Sequence, residues 1–321
     1  MEPWTSTLRL RTAALTTGAM LLSSVAFGAA HDKHVEGNRN FDARIALTQG
    51  QKAAAAPGQL SAVADLQSVM PDVAATFDET TGVTRTLYNQ TGYLTGPSAS
   101  KATPIDVGMS FVVDNLALFG LNSADLAEFE VTDDVFSQAT GASHIYLRQM
   151  HQGLPVYNGQ LHFNVNRDGR LISVNNAFLP GLASAAKSAE TIMGAAQAVR
   201  AAALDIGIPV DQRLAVLSTG DDLQKTTMVS GKGISFEDIE AKLMWLPIQA
   251  GDARLVWNFQ IQTLDSQHYY DITVDAANGQ VWTKFDWTNS GSYRVYEQPV
   301  ESPIHTSPLP PSDARTLVVS P

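Results

Sequence analysis

The 321-residue sequence predicts an α+β fold of two successive units, each a helix packed on an antiparallel sheet in a cystatin-like arrangement. Three observations predict this fold. Apolar residues alternate with polar ones along residues 144–181, two other segments place apolar residues at helical spacing, and one turn motif occurs twice. A disordered leader and an extended, proline-rich tail are predicted on either side of the two units.

Residues 144–181 predict three strands in an antiparallel meander. Their apolar residues recur at every second position and define one face for a core, at Ile145, Leu147, Leu161, Phe163, Val165, Ile172 and Val174. Gln152-Gly153 predicts the first turn, and residues 166–169 predict the second because Gly169 supplies the positive φ of a hairpin.

The first unit also contains a helix that begins at Thr103 and ends at Gly120. Thr is a favourable N-cap residue, and Pro104 suits the first helical position. The apolar stripe of this helix is Ile105, Met109, Val112, Leu116 and Phe119. The other predicted elements of this unit are a short helix at 61–70, a hairpin of 75–78 with 83–88, and a strand at 135–138.

The second unit is predicted to repeat this plan. Ser188 caps a helix that Gly207 terminates, and its apolar stripe is Ile192, Ala196, Val199 and Ala203. Five strands are predicted after it, at residues 214–217, 239–245, 254–262, 268–274 and 280–285. The turn segment 165–171 is echoed by residues 274–281, which indicates a weak internal repeat.

The meander also shows a family resemblance. Residues 146–149, 153–156, 159–161 and 166–174, read as YLRQ, GLPV, GQL and NRDGRLISV, resemble the fungalysin/thermolysin propeptide domain. That module precedes the catalytic domain of secreted zinc metallopeptidases. The second unit resembles the PepSY-type module that commonly follows it, through Val274-Asp275-Ala276 and Asn278-Gly279.

Composition and the first residues indicate export. Arg9 and Arg11 precede an apolar run ending near Ala30, the pattern of a secretory signal peptide, and the run is too polar for a stable membrane anchor. The absence of cysteine excludes disulfides. The net charge of −11 argues against a nucleic-acid partner. We expect a secreted protein, extracellular or periplasmic in transit.

Five segments follow from these patterns. Residues 1–30 are the signal peptide, 31–57 a linker, 58–182 the fungalysin/thermolysin propeptide domain, 183–289 the PepSY-like propeptide domain, and 290–321 an extended tail that begins the mature enzyme region. The resemblance implies a catalytic domain after Pro321. Processing is expected after Ala30 and within Asn289, Ser290, Gly291 and Ser292, because this run has no apolar residue to anchor it.

No constellation in the sequence predicts catalysis, and we name no catalytic or metal-binding residue. A zincin requires His-Glu-x-x-His, which does not occur among His31, His34, His144, His151, His162, His268 and His305. His144 and His162 could form a cross-strand metal pair, although solvated sheet histidines are far commoner. The pairs Asp133-Asp134 and Asp221-Asp222 and the segment Gly231-Lys232-Gly233 have the features of loops.

The aromatic residues of the second unit admit two interpretations, a ligand-stacking surface or a core. Strand-spaced tryptophans more often fill a core, and this group consists of Trp245, Trp257, Trp282 and Trp287 with Tyr269 and Tyr270. Trp287 is the expected exception, at a sheet edge where it could meet a partner.

The resemblance implies a propeptide that acts as intramolecular chaperone and inhibitor of a fungalysin-like zinc metalloendopeptidase. Its partner would be its own catalytic domain, which would also hold the zinc, since none is expected in this chain. The alternative is a free-standing secreted protease inhibitor or binding module. A complete enzyme is disfavoured because no catalytic motif is present.

Overall fold

The computed structural model describes residues 40–47, 51–98, 102–187, 193–210, 213–288, 292–295 and 316–319. The predicted signal peptide, with Ala30, His31 and His34, lies outside these residues, as do Ser188, Ile192, Asn289, Ser290, Gly291 and His305. The described residues form a mixed α and β fold with a large, mainly antiparallel sheet and few helices. None of the described helices is long and apolar enough to span a bilayer.

The helices are short. They are α1 (Ala43–Leu47), α2 (Pro57–Val69), α3 (Pro104–Asp114), α4 (Leu116–Phe119), α5 (Leu182–Ala185) and α6 (Ala195–Asp205), with a 3₁₀ turn at Ser123–Leu126.

Sixteen strands are present in the described part of the chain. They are β1 (Phe41–Asp42), β2 (Val73–Phe77), β3 (Thr84–Asn89), β4 (Phe129–Ser137), β5 (Ala142–His151), β6 (Leu154–Val165), β7 (Leu171–Asn176), β8 (Ala186–Lys187), β9 (Val216–Thr219), β10 (Thr227–Val229), β11 (Ile239–Gln249), β12 (Asp252–Gln262), β13 (Tyr269–Asp275), β14 (Val281–Asp286), β15 (Ser292–Val295) and β16 (Thr316–Val319).

Fourteen of these strands form one sheet. Its main path runs β1-β14-β13-β12-β11-β6-β7-β3-β2, and β4 joins it through β5, β9 through β10, and β8 through β12. The meander of β5, β6 and β7 is antiparallel, as predicted. The link to the second half of the sheet is a parallel pairing of β6 with β11, in which Val156 lies opposite Trp245. β15 and β16 pair with each other.

Two large hydrophobic clusters lie against this sheet. The first contains α3, α4 and the inward side chains of β5, β6 and β7, with Leu147, Leu161 and Phe163 fully buried. The second contains the alanine-rich face of α6 and the side chains of β11, β12 and β13. A smaller cluster surrounds Tyr157 and Trp282. The domain boundary predicted between residues 182 and 183 stays a prediction.

The two turns of the sequence repeat use the same device. Asn166 accepts hydrogen bonds from the amides of Asp168 and Arg170 through its side-chain oxygen. Asp275 likewise accepts from the amides of Ala277 and Asn278. A polar side chain that bonds to its own turn stabilises a tight connection between strands. Each turn then ends in a glycine of positive φ, 70° at Gly169 and 79° at Gly279.

The predicted linker was wrong for residues 41–47, which form β1 and α1. Phe41 and Asp42 pair with Lys284 and Thr283 at the edge of β14. The carboxylate of Asp42 accepts hydrogen bonds from the amide and guanidinium of Arg44, which also donates to the carbonyl of Pro247. The pairing of β1 with β14 and the hydrogen bond from Arg44 to Pro247 connect residues far apart along the chain, so no local periodicity could reveal them.

The predicted helix from Thr103 to Gly120 has the expected cap but is interrupted. Thr103 and Asp106 form a reciprocal capping box, and Gly120 ends α4 with a φ of 67°. The interruption is at Asn115, whose side-chain amide donates to the carbonyl of Phe111 in place of its own backbone N–H.

The predicted core face of this helix was partly wrong. Val112 and Phe119 are fully buried, but Ile105, Met109 and Leu116 are only partly buried. Val107, Gly108 and Phe111 take the central positions instead. The reason is close packing, because a side chain at Gly108 would overlap the ring of Phe163.

Three further element predictions were wrong in detail. β4 begins at Phe129 rather than at residue 135. In β7, Leu171 is buried instead of Ile172, because the register with β6 shifts between Asn164 and Val165. The helix predicted to start at Ser188 begins at Ala195, where the side chain of Gln197 accepts a hydrogen bond from the Gly194 amide.

We predict that Gly108→Ala destabilises the fold by about 1–3 kcal/mol, since overpacking costs that much. An added Cβ would lie 2.3 Å from Cγ of Phe163, so the ring must move. Urea unfolding followed by circular dichroism measures the change.

The matched control is Gly58→Ala in the first turn of α2, where nothing lies within 4 Å of an added Cβ. We expect this variant to be unchanged or slightly more stable, because alanine favours helix. Equal stability of the two variants would contradict the packing of Gly108 against Phe163.

Candidate docking surface

The side of the meander away from the first hydrophobic cluster carries polar side chains. His144, Tyr146 and His162 come together there because the register of β5 and β6 places Tyr146 opposite His162 and His144 opposite Asn164. The rings of Tyr146 and His162 are stacked at 4.1 Å. The two imidazole centroids are 6.2 Å apart.

This pair of histidines is less solvated than the sequence suggested. His144 bonds through Nδ1 to the side-chain oxygen of Asn164, and Asn175 lies 3.3 Å from Nδ1 of His162. Nε2 of His162 is buried and has no hydrogen-bond partner in the described residues. Burial, and secondly the charge of His144, lower the pKa of His162.

A polar groove of about 370 Å³ continues this surface across the junction of β6 with β11. Its floor includes Asp271, a buried carboxylate that accepts hydrogen bonds from Tyr157, Asn258 and Gln260. Burial, followed by the charge of Asp271, raises the pKa of Tyr157 above its ordinary value. The satisfied carboxylate therefore serves to hold three strands together, β6, β12 and β13.

Trp287 lies at the rim of this groove, and its position confirms the predicted exception among the tryptophans. The other three predicted core tryptophans, Trp245, Trp257 and Trp282, are buried. Trp287 is 57% exposed and meets the partly exposed ring of Tyr269 edge to face, with centroids 5.3 Å apart. An exposed, pre-oriented aromatic pair is a common feature of protein interfaces.

A partly buried contact between His268 and Asp286 fixes the end of β14, directly before the predicted processing segment. Nδ1 of His268 lies 2.6 Å from the carboxylate of Asp286, which also accepts from the amides of Tyr269 and Thr288. Burial alone would raise the pKa of Asp286. The hydrogen bonds from His268 and the two amides outweigh it and hold the pKa below its ordinary value.

Several strands have one pairing neighbour in the described part of the chain, and β4 and β9 are two of them. β4 pairs only with β5, and β9 pairs only with β10. The predicted pair Asp133-Asp134 lies in β4 rather than in a loop, and both residues are exposed. Asp221 and Asp222 do lie in a loop, where Asp222 accepts hydrogen bonds from Thr226. Gly231-Lys232-Gly233 also forms a turn.

The described residues bring together no group of three or more histidine or acidic side chains that could hold a metal ion. The ring of His151 is tilted against the ring of Trp245, with centroids 5.8 Å apart. Of the predicted processing residues, Ser292 is described and begins β15. The prediction of processing at residues 289–292 stays untested.

Comparison with known proteins agrees with the resemblance noted in the meander. Residues 127–178 match the model of the Fungalysin/Thermolysin Propeptide Motif. In the fold this segment is β4 through β7, followed by the buried Phe178. The predicted similarity to that propeptide module is therefore confirmed over these residues.

The curated relatives that match are extracellular metalloproteinases. The Leptosphaeria maculans metalloproteinase MEP is 28% identical over 55% of this chain and 28% of its own length. Extracellular metalloproteinase 2 of Phaeosphaeria nodorum is 29% identical over 61% of this chain and 29% of its own length. Extracellular metalloproteinase 10 of Uncinocarpus reesii is 28% identical over 56% and 29%. The chain thus spans under a third of these relatives.

Solved structures also align with this chain. One of them, the C-terminal domain of Bacillus megaterium YpeB, covers 75% of this chain and 100% of its own length, with 8% identity and a TM-score of 0.29. A superposition this loose supports no statement about the fold.

We predict that His162 titrates below the ordinary histidine value of about 6.5. The unfolded chain then binds the proton more readily than the fold does, so stability is lost as pH falls below about 6.5. Proton NMR of the imidazole signals measures the midpoint, and urea unfolding at several pH values measures the stability.

The control is His144→Asn, which removes the neighbouring charge, so the midpoint of His162 should rise. A midpoint of His162 at or above the ordinary value would contradict its burial.

We predict that Asp286→Asn loosens the end of β14 and accelerates cleavage of the chain after Thr288. Loss of the charged hydrogen bonds to a partly buried site costs about 1 kcal/mol, which corresponds to roughly fivefold faster local proteolysis. Limited proteolysis followed by mass spectrometry gives the rate and the position. In the parent chain the same loosening should occur as pH falls through the lowered pKa of Asp286. Protonation removes the negative charge that strengthens its hydrogen bonds to His268 and the two amides.

The matched control is Asp222→Asn, which removes a carboxylate that bonds to its own loop. Its cleavage rate after Thr288 should equal that of the parent chain. If Asp286→Asn and the parent chain are cleaved after Thr288 at equal rates, the contact between His268 and Asp286 does not protect the segment that follows β14.

Proposed function

We propose that this chain is the propeptide region of a secreted, fungalysin-like zinc metalloendopeptidase and acts as its intramolecular chaperone and inhibitor. The match of residues 127–178 to the propeptide motif is the observation that supports this most strongly. The matched relatives are named as extracellular metalloproteinases, and this chain aligns with under a third of their length. The partner is then the catalytic domain that makes up the remainder of such a protein.

Two propeptide modules follow from the same proposal, residues 58–182 and the PepSY-like residues 183–289. The two large hydrophobic clusters support two modules, because each has its own helix, and β6 contributes to both, with Leu154 and Val156 in the second cluster. The shared strand β6 holds the modules in one orientation. A rigid body of this kind lowers the entropy lost when a partner binds, which favours inhibition by a preformed surface.

The catalytic zinc belongs to the partner in this proposal. A zinc site needs three convergent ligands, whereas the meander brings together two histidines, His144 and His162, whose Nδ1 atoms already face asparagine side chains. What the chain contributes is binding surface. The open edge of β4 can add to a strand of the partner, and the exposed pair Trp287 and Tyr269 can pack against it, close to the segment where processing is proposed.

We predict that the full chain slows hydrolysis of a peptide substrate by the mature protease. An interface of standard size supports inhibition of tenfold or more at roughly ten micromolar chain. The chain should also raise the yield of active protease on refolding from denaturant. A second metalloprotease of different sequence is the specificity control and should be unaffected.

An unchanged rate in an excess of the chain would refute the inhibitory role. An unchanged refolding yield would separately refute the chaperone role. A mature N-terminus far from residues 289–292 would refute only the proposed place of processing.

A further inference from the structure

The open strand β4 has features that the fold itself does not use. It is nine residues long, and its residues 130–136 are all exposed. In the described part of the chain, only β5 pairs with it. An open edge of this length presents unpaired backbone groups that can accept another strand.

The composition of β4 makes this edge more adhesive than an isolated fold requires. Three large apolar side chains are exposed along it, Val131 by 51%, Val135 by 44% and Phe136 by 60%. β-branched and aromatic residues favour strand pairing. Strand β9, which also has one neighbour, is four residues long and has no charged residue.

Acidic residues on β4 decide which kind of strand could be added. Asp133 and Asp134 are exposed and form no ion pair with the described residues, whereas Glu130 pairs with Arg148 at 3.1 Å. Pairing β4 with a second copy of itself would bring these carboxylates close together in a chain of net charge −11. Like charges on adjacent strands are unfavourable, so a basic strand fits and a second copy does not.

The geometry limits how far an added strand can pair. The register between β4 and β5 shifts between Val131 and Asp133, which leaves Thr132 as an extra residue. A bulge of this kind disrupts the ladder and increases the local twist. Regular pairing is therefore confined to the five residues from Asp133 to Ser137.

A shallow groove beside β4 can receive a side chain from the added strand. Its volume is about 360 Å³, and its lining includes Asp133, Val135, His144 and Tyr146. A lysine or arginine there would meet the carboxylate of Asp133 and the ring of Tyr146. The groove thus favours the same basic partner as the edge does.

We propose that β4 binds, by strand addition along Asp133–Ser137, an extended segment of the protease domain that has basic residues beside Asp133 and Asp134, one on each face of the sheet, and apolar residues against Val135 and Phe136. This inference rests on the proposed function, because it assigns the partner to the remaining two thirds or more of proteins such as the matched relatives. β4 also lies within the residues that match the propeptide motif.

Hydrogen–deuterium exchange on the full chain, with and without the mature protease, tests the proposal without any substitution. The amides of residues 133–137 that face away from β5 should exchange at least tenfold more slowly in the complex, since new ladder hydrogen bonds protect them. The amides of β9 should not change.

Two pairs of variants test the chemistry of the contact by the change in Kd. Asp134→Lys should weaken binding about tenfold and reduce its salt dependence, whereas Asp221→Lys in an exposed loop should not. Phe136→Ser should weaken binding by a similar factor, whereas Leu217→Ser on β9 should not. All four positions are exposed, and thermal unfolding confirms that each variant folds.

The outcomes are distinguishable. Protection of residues 133–137 together with the selective loss of affinity supports the proposal. Binding without that protection, or equal effects of each variant and its control, overturns the proposal and leaves the proposed function intact. Absence of any binding by the parent chain overturns both.

Discussion

The rest of the fold depends on the pairing of strand β6 with both halves of the sheet. Its last residues pair with β5 and β7 over the first hydrophobic cluster, while Val156 near its start pairs in parallel with Trp245 of β11 over the second. Between these parts the backbone bends at Asn158, which has a φ of 55°. One covalent strand therefore belongs to both clusters, and neither half of the sheet can turn without disturbing the other.

Two buried polar side chains, Gln149 and Asp125, reinforce this connection. Gln149, on β5, bonds to the backbone of Leu179 in both directions, as donor and as acceptor. Asp125 accepts from the amides of Gly181 and Leu182. Buried polar groups that are fully bonded define one geometry at low cost, because any displacement leaves them unsatisfied. The chain that passes from the first cluster to the second is thereby held at Leu179, Gly181 and Leu182.

The sequence was sufficient for elements whose evidence is local. Neighbours along the chain are enough to predict the alternation at Ile145 and Leu147, the N-cap at Thr103 and the exposed Trp287. Features decided by distant contacts could not be predicted. β1 exists because β14 is there to pair with it, and the start of β4 is hidden because an edge strand exposed on both faces has no alternation to detect.

The candidate surface was predictable to a similar extent. Opposite parity placed His144 and His162 on the polar face, but their partial burial follows from the stacking of Tyr146 and from Asn164 and Asn175 on neighbouring strands. Register between strands is a tertiary property, which is also why Leu171 is buried instead of Ile172. The groove around Asp271 depends on the approach of β6 to the consecutive strands β12 and β13, which are distant from it in sequence, and no motif marks it.

The pairing of β1 with β14 has a consequence for the order of assembly. Phe41 emerges early during synthesis, yet its partner Lys284 follows some 240 residues later, and the amide of Asp286 bonds to Asn40 at the same place. Closing so long a loop comes late in folding because its entropic cost is compensated only by contacts that already exist. The first segment of the described chain to be synthesised is thus among the last to pack, and until β1 pairs with β14, this edge of β14 stays unpaired.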